Sequence, residues 1–376
     1  MVRISERENL GDLFSILLSN RAAALVMLDA HVAAVQDCKL AIQFVSSARP
    51  NVPFSRDKGI FLRIRLLIRL ARATLRCGNS SEAVATLNEA SSLYEQTANF
   101  INAHHSGRVR DENLSILSGL NMEVEKGISE ANQVEVYMSK AHAALSKTNV
   151  DKAMVDALGY IDEAIRLSPA SEEILELKVQ TLGNLRRWRE AAGFCERYGA
   201  LAVRIDFLYD LDIMQPSPGL VAAKSLSPVA FYGEINETAL SAHLTLCSAS
   251  AVEVMLRLPY KVRPIYARAL RLEERYPAAD SCLRQLESVS KLLPTGSDIL
   301  HHFSWVATER KNVTTIRTIR EQGDDLYQRQ KYLEAARMYS QGFGVDMPQG
   351  TESSGGRVHS VLHCNRSACL LASRRF

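Results

Sequence analysis

Residues Thr315 to Phe343 read TIRTIREQGDDLYQRQKYLEAARMYSQGF, and their small residues are spaced for two helices lying side by side. Gly323 and Ala335 stand twelve positions apart, Leu326 and Tyr327 follow the glycine, and Tyr332 and Tyr339 flank the alanine. Small side chains let antiparallel helices approach closely, and aromatic ones fill the space between neighbouring pairs. The same spacing returns in Ala22, Ala34 and Ala41, and again in Ala71, Ala83 and Ala90, where Gly78-Asn79 breaks the chain between the helices. These residues take positions 8, 20 and 27 of a unit of about 34 residues. Looser copies carry Ala157, Ala164 and Pro169, then Leu182, Trp188 and Ala191, then Ala267, Tyr276 and Ala279. A last copy opens near Ser360, runs through His363-Cys364-Asn365-Arg366-Ser367-Ala368, and reaches Phe376 without a second helix.

A helix-pair repeat of this period predicts an all-α tetratricopeptide-repeat (TPR) solenoid. Ala-rich helical periodicity also occurs in HEAT-like arrays and bundles, but the recurrent spacing favours the 34-residue unit. The boundaries expected from it are N-terminal repeats over 1–100, a helical connector over 101–135 without repeat marks, and a middle pair over 136–209. A linker with a helical segment over 210–258, rich in Pro and Ser at Pro216, Ser217, Pro218, Ser227 and Pro228, then leads to C-terminal repeats over 259–376. Because the last repeat is incomplete, the chain is expected to be a shortened product or part of a longer one.

Composition narrows the function classes. In 376 residues the apolar fraction is 47%, enough for a packed core, and 11 prolines and 19 glycines leave most segments to helix formers. Lys+Arg number 45 against 42 Asp+Glu, a net charge of +3, so no global field draws the chain to nucleic acid or an anionic membrane. The seven cysteines are scattered and form no C-x-x-C, which argues against a disulfide scaffold or a zinc cage. Apolar runs fall short of the roughly 20 residues of a membrane span, and Arg3, Glu6, Arg7 and Glu8 precede any apolar run where a secretory signal would need one. The expected setting is the reducing cytoplasm.

The one concentrated charge pattern lies in the segment Phe61 to Arg76. Arg65, Arg69, Arg72 and Arg76 recur at spacings of four, three and four, while Leu66, Leu67, Leu70, Ala71 and Thr74 take the opposite side of the helix. Guanidinium forks bind carboxylates in bidentate fashion at any relevant pH, so the stripe suits an acidic peptide or a chain-terminal carboxylate. The plainer reading is a solvated face that keeps the helix soluble, as charge runs usually do. Aromatic residues that could stack on bases are not interleaved with these arginines, which turns the reading away from nucleic acid.

Asn20-Arg21-Ala22-Ala23, Asn365-Arg366-Ser367-Ala368 and Arg320-Glu321-Gln322-Gly323-Asp324-Asp325-Leu326-Tyr327 resemble signatures of chaperone-binding TPR domains. With Ala164-Ile165-Arg166-Leu167-Ser168-Pro169 in a divergent middle pair, the order of the pieces is similar to the TPR-containing DnaJ co-chaperones of the subfamily C member seven type. The resemblance implies an adaptor whose carboxylate clamps hold the EEVD tail of heat-shock chaperones. It places Asn20 at the second-repeat asparagine, Arg65 at the third-repeat lysine and Arg69 at the third-repeat arginine. Arg72 continues that face. In the C-terminal group, Arg320 stands for the expected lysine and Asn365 is present. Asp324, however, takes the place of an asparagine that should donate to the ligand, and a carboxylate there repels another. Neither clamp is whole, because the first repeat of one and the third repeat of the other are missing. The J domain is missing too: none of the nine histidines precedes a proline, so the chain lacks a His-Pro-Asp turn.

Catalytic signatures are absent from the sequence: it has no G-x-x-x-x-G-K-[ST], G-x-S-x-G, H-E-x-x-H or G-x-G-x-x-G. His359, His363 and Cys364 share helical spacing but read as packing or surface residues rather than metal ligands. The expectation is a protein-binding chain without catalysis, cofactor or metal. A scaffold that assembles another protein complex, with the clamp remnants idle, is the alternative.

Overall fold

The computed structural model describes residues 4–47, 57–146, 150–210, 250–294, 298–345 and 355–373. Among them are fourteen α-helices and one 3-10 helix, and no strand. The chain divides into two compact units, residues 1–177 and 178–376.

In the first unit the helices are α1 (Ile4–Met27), α2 (His31–Ser47), α3 (Asp57–Arg76), α4 (Ser80–His104), α5 (Gly107–Leu145), α6 (Val150–Leu167) and the start of α7 (Glu172–Asn184). Consecutive helices pack as pairs, α1 on α2, α3 on α4 and α5 on α6, and the first helices also touch, α1 to α3 and α3 to α5. The repeated small residues lie where the packing needs them: Ala22, Ala34, Ala41, Ala71, Ala83 and Ala90 are each at most 1% exposed. The α3–α4 turn needs glycine twice over. Gly78 has φ +94°, and a Cβ there would lie 2.3 Å from Ser171 Oγ. That turn is held to the α6–α7 turn by a hydrogen bond from Ser168 Oγ to the Leu75 carbonyl (2.6 Å) and one from the Ala170 amide to the Arg76 carbonyl (3.0 Å).

Helix α5 has 39 residues, about 58 Å at 1.5 Å per residue, and crosses the expected boundary at 135/136 without a break. Its buried residues Leu117, Leu120, Val124, Gly127, Ala131, Val134 and Ala141, with Met138 packed beside them, follow alternating steps of three and four. Such a heptad seam keeps one side of a long helix against its partners. Gly127 receives Leu87 of α4, so close that a Cβ would lie 2.9 Å from Leu87 Cδ1, and further along Lys140 sits over the Tyr160 ring of α6. One helix thus serves two partners in turn, where the sequence reading expected a connector followed by a separate pair.

The second unit holds the remainder of α7, then α8 (Trp188–Asp210), α9 (Ala251–Arg257), α10 (Arg263–Leu272), α11 (Tyr276–Leu292), the 3-10 helix Asp298–Phe303, α12 (Val306–Gln328), α13 (Tyr332–Phe343) and α14 (Gly356–Ser373). Residues 211–249, most of the expected linker and all its prolines and serines named above, lie outside the described residues. Helix α9 starts on a capping box: Ser250 accepts from the Glu253 amide, and Glu253 accepts from the Ser250 amide. The pairs α10–α11, α12–α13 and α13–α14 pack consecutively, and α8 packs on α9 and α10. Ala191, Ala267, Ala279 and Ala335 are fully buried, and Tyr339 lies against Gly323, whose added Cβ would come within 2.4 Å of the ring. Arg271 of α10 is buried with its guanidinium forked onto Glu309 of α12, Nε to Oε1 at 2.6 Å and Nη2 to Oε2 at 3.4 Å.

Candidate functional site

In the first unit the arginine face of α3 forms because its other face is packed: Ile64, Leu66, Leu67, Leu70, Ala71 and Thr74 are all buried. That amphipathic division leaves Arg69 on the side toward α1 and Arg72 on the side toward α5. They do not share one role. Arg69 turns toward α1 and donates from Nη1 to the Ser19 carbonyl (2.6 Å) and to the Ser19 hydroxyl. Arg76 donates to the Arg166 carbonyl (3.0 Å), within the clasp between the α3–α4 and α6–α7 turns. Arg72 reaches Glu123 of α5 at 3.1 Å, with both side chains nearly half exposed. Arg65 is exposed, as is Asn20, next in sequence to the serine that Arg69 holds.

This arrangement brings Asn20 and Arg69 to one place, but there Arg69 ties α1 to α3 instead of presenting its guanidinium free. Two of the four arginines, Arg65 and Arg72, are placed to meet a ligand. The Arg72–Glu123 pair can open at little cost, since exposed ion pairs contribute about 0–1 kcal/mol. On α1, Ile16 and Leu13 are exposed one and two turns before Asn20. Arg21, part of the Asn-Arg-Ala-Ala motif, points elsewhere: it forks onto Asp37 of α2, Nε to Oδ2 at 2.6 Å, and the Asp37 side chain is only 3% exposed.

In the second unit Arg320 and Asn365 also converge, and they do so on Asp324. Asn365 Nδ2 donates to Asp324 Oδ1 (3.4 Å), Tyr339 Oη donates to the same oxygen (2.6 Å), and Arg320 Nε lies 4.0 Å from Oδ2. Arg320 is bonded more closely to Glu274, which also holds Arg357 at 3.0 Å. Burial, and then the hydrogen bond to Asp324, push the Tyr339 hydroxyl above its ordinary range, so it stays a donor. Asp324 therefore attracts the donors around it, where the sequence reading expected only repulsion of a ligand. Tyr339 and Glu274 were not among the expected site residues; the tyrosine is visible in the sequence only as a packing aromatic.

His359 is buried with its ring edge-on to Phe343, and His363 lies over the same phenylalanine with ring centres 4.2 Å apart. Among the described residues no group of three or more His, Cys, Asp or Glu side chains is placed to hold a metal ion. No described helix is long and apolar enough to cross a membrane. No family model, no curated protein and no solved structure matches this chain.

Proposed function

We propose that the chain is a tetratricopeptide-type adaptor of the cytoplasm, without catalysis, that takes the acidic C-terminal tail of a heat-shock chaperone on the α1–α3–α5 face of its first unit. The observation that carries this reading is the pair of exposed guanidinium groups on α3, Arg65 and Arg72, together with Asn20, Leu13 and Ile16 exposed on α1, the helix that Arg69 joins to α3. Basic forks next to apolar side chains suit a short peptide that carries carboxylates and an apolar residue. Arg69 supports the site by fixing α1 against α3, a positioning role. With two guanidinium groups to engage, each charge-assisted hydrogen bond contributes roughly 1.5–3 kcal/mol, which predicts weak, salt-sensitive binding.

The test is a calorimetric titration with an EEVD peptide at low and physiological salt. Arg65→Glu/Arg72→Glu is expected to abolish binding without changing the helical circular dichroism. Undetectable binding to the unaltered chain at low salt, or equal binding by the double variant, overturns the adaptor and leaves the alternative, a scaffold that assembles another protein complex.

A further inference from the structure

The cluster around Asp324 holds two cations and two anions in a chain: Arg357, Glu274, Arg320 and Asp324. It is balanced internally. Two uncharged donors, Tyr339 Oη and Asn365 Nδ2, also point at one oxygen of Asp324. A carboxylate approached by a guanidinium, a phenol and an amide has the partners expected of a bound acidic ligand. Here the ligand is part of the chain. The Asp324 side chain is 46% exposed, whereas Glu274, the other anion, is 12% exposed and shared between two arginines. Asp324 is thus the member that can turn out to solvent, and Glu274 is the fixed one.

We propose that this corner of α12, α13 and α14 is a carboxylate-binding site held shut by Asp324 acting as a tethered internal ligand. It rests on reading Arg320 and Asn365 as carboxylate donors, and it adds that they are occupied in the resting protein. A tethered group competes like a free one at millimolar concentration or above, so an acidic peptide meets an occupied site and must displace Asp324. Removing the aspartate leaves one cation in excess and frees the Tyr339 and Asn365 donors on a single point. That point then takes one carboxylate from outside.

The experiment uses the full chain with Arg65→Glu/Arg72→Glu, so that the first unit is silent, and compares it with the same chain carrying Asp324→Ala or Asp324→Asn. The probe is acetate against its neutral twin acetamide, at equal ionic strength, read as melting temperature and as binding by nuclear magnetic resonance titration. Acetate is expected to raise the melting temperature of the Asp324→Ala chain by a few degrees and to leave the Asp324 parent unchanged. Acetate is also expected to bind Asp324→Asn about tenfold more tightly than the parent, as for one charge-assisted bond regained. Adding Asn365→Ala should remove the gain. If Asp324→Ala does not fold, Asp324→Asn carries the test, since its amide oxygen still accepts from Tyr339. Folded variants that respond equally to acetate and acetamide would show Asp324 to be a structural tie and overturn the proposal. A first unit that fails to bind the EEVD peptide leaves this result unaffected, so the two readings fail separately.

Discussion

Replacing Glu309 by alanine removes the carboxylate from a guanidinium that has no exposed surface, and the two outcomes of that loss are far apart in energy. The Arg271 side chain is 0% exposed and the Glu309 side chain 11% exposed, and the fork between them joins α10 to α12 in the middle of the second unit. In water such a pair contributes little, but here the surviving cation cannot regain its hydration without opening the helix interface. Breaking a buried pair from one side typically costs about 3–5 kcal/mol. For a unit of this size, each kcal/mol lowers the melting temperature by roughly 2–4 °C, so a fall of about 10 °C or more is expected. The double replacement Arg271→Met/Glu309→Leu should recover most of the loss, because removing both charges removes the desolvation cost along with the attraction. Urea denaturation followed by circular dichroism and tryptophan fluorescence measures both, since Trp305 is the cap residue immediately before α12. A loss under about 1 kcal/mol for Glu309→Ala, or a double variant no better than the single, would refute the claim that this charge is held out of water.

Two further outcomes follow from the first unit. Gly78→Ala should destabilise it by about 2 kcal/mol or more in urea titrations, because the new Cβ meets Ser171 Oγ at 2.3 Å and the backbone sits at φ +94°; an unchanged midpoint would mean the two turns do not clasp. His31, buried at the start of α2 with neither ring nitrogen hydrogen-bonded, has its pKa lowered by burial, with Arg76 adding to the effect and Asp29 opposing it. The unfolded chain therefore binds the proton more readily, so stability is complete above the usual histidine value of about 6.5 and declines as pH falls through the depressed folded value. His31→Gln should flatten the acid limb of a stability-against-pH curve between pH 7.5 and 5, and an unchanged limb would count against it.

Much of the fold is legible in the sequence because close helix packing leaves a local mark. An alanine that must sit under a neighbouring helix is recognisable at Ala34 or Ala335 before any coordinates, since few other side chains fit. Helix α5 left a different mark. Its glycines and alanines at Gly127, Ala131 and Ala141 do not recur at the 34-residue period, but Leu117, Leu120, Val124, Gly127, Ala131 and Val134 step by three and four, the spacing of a heptad seam. Helical periodicity continues through 135/136, and α5 runs across that point without a break.

The site was less legible, for a reason that applies to any charged stripe. Helical spacing establishes which arginines share a face, and Arg65, Arg69, Arg72 and Arg76 do share one; it carries no information about what stands across the border from each. That depends on the neighbouring helices: Ser19 of α1 takes Arg69, Glu123 of α5 takes Arg72, and the Arg166 carbonyl takes Arg76. The same holds for Asp324, whose partners come from three helices and span 41 residues of chain to Asn365. A guanidinium that satisfies a neighbouring backbone carbonyl, as those of Arg69 and Arg76 do, is drawn into structure, whereas Arg72 in an exposed ion pair and the exposed Arg65 stay available. On this reasoning Arg65→Glu should weaken acidic-peptide binding with little effect on stability, whereas Arg69→Glu should lower stability first, by leaving Ser19 without its donor and placing a carboxylate against its carbonyl oxygen. If Arg69→Glu instead kept the melting temperature of the parent and lost only the peptide, the division of the stripe into holding and presenting arginines would be wrong.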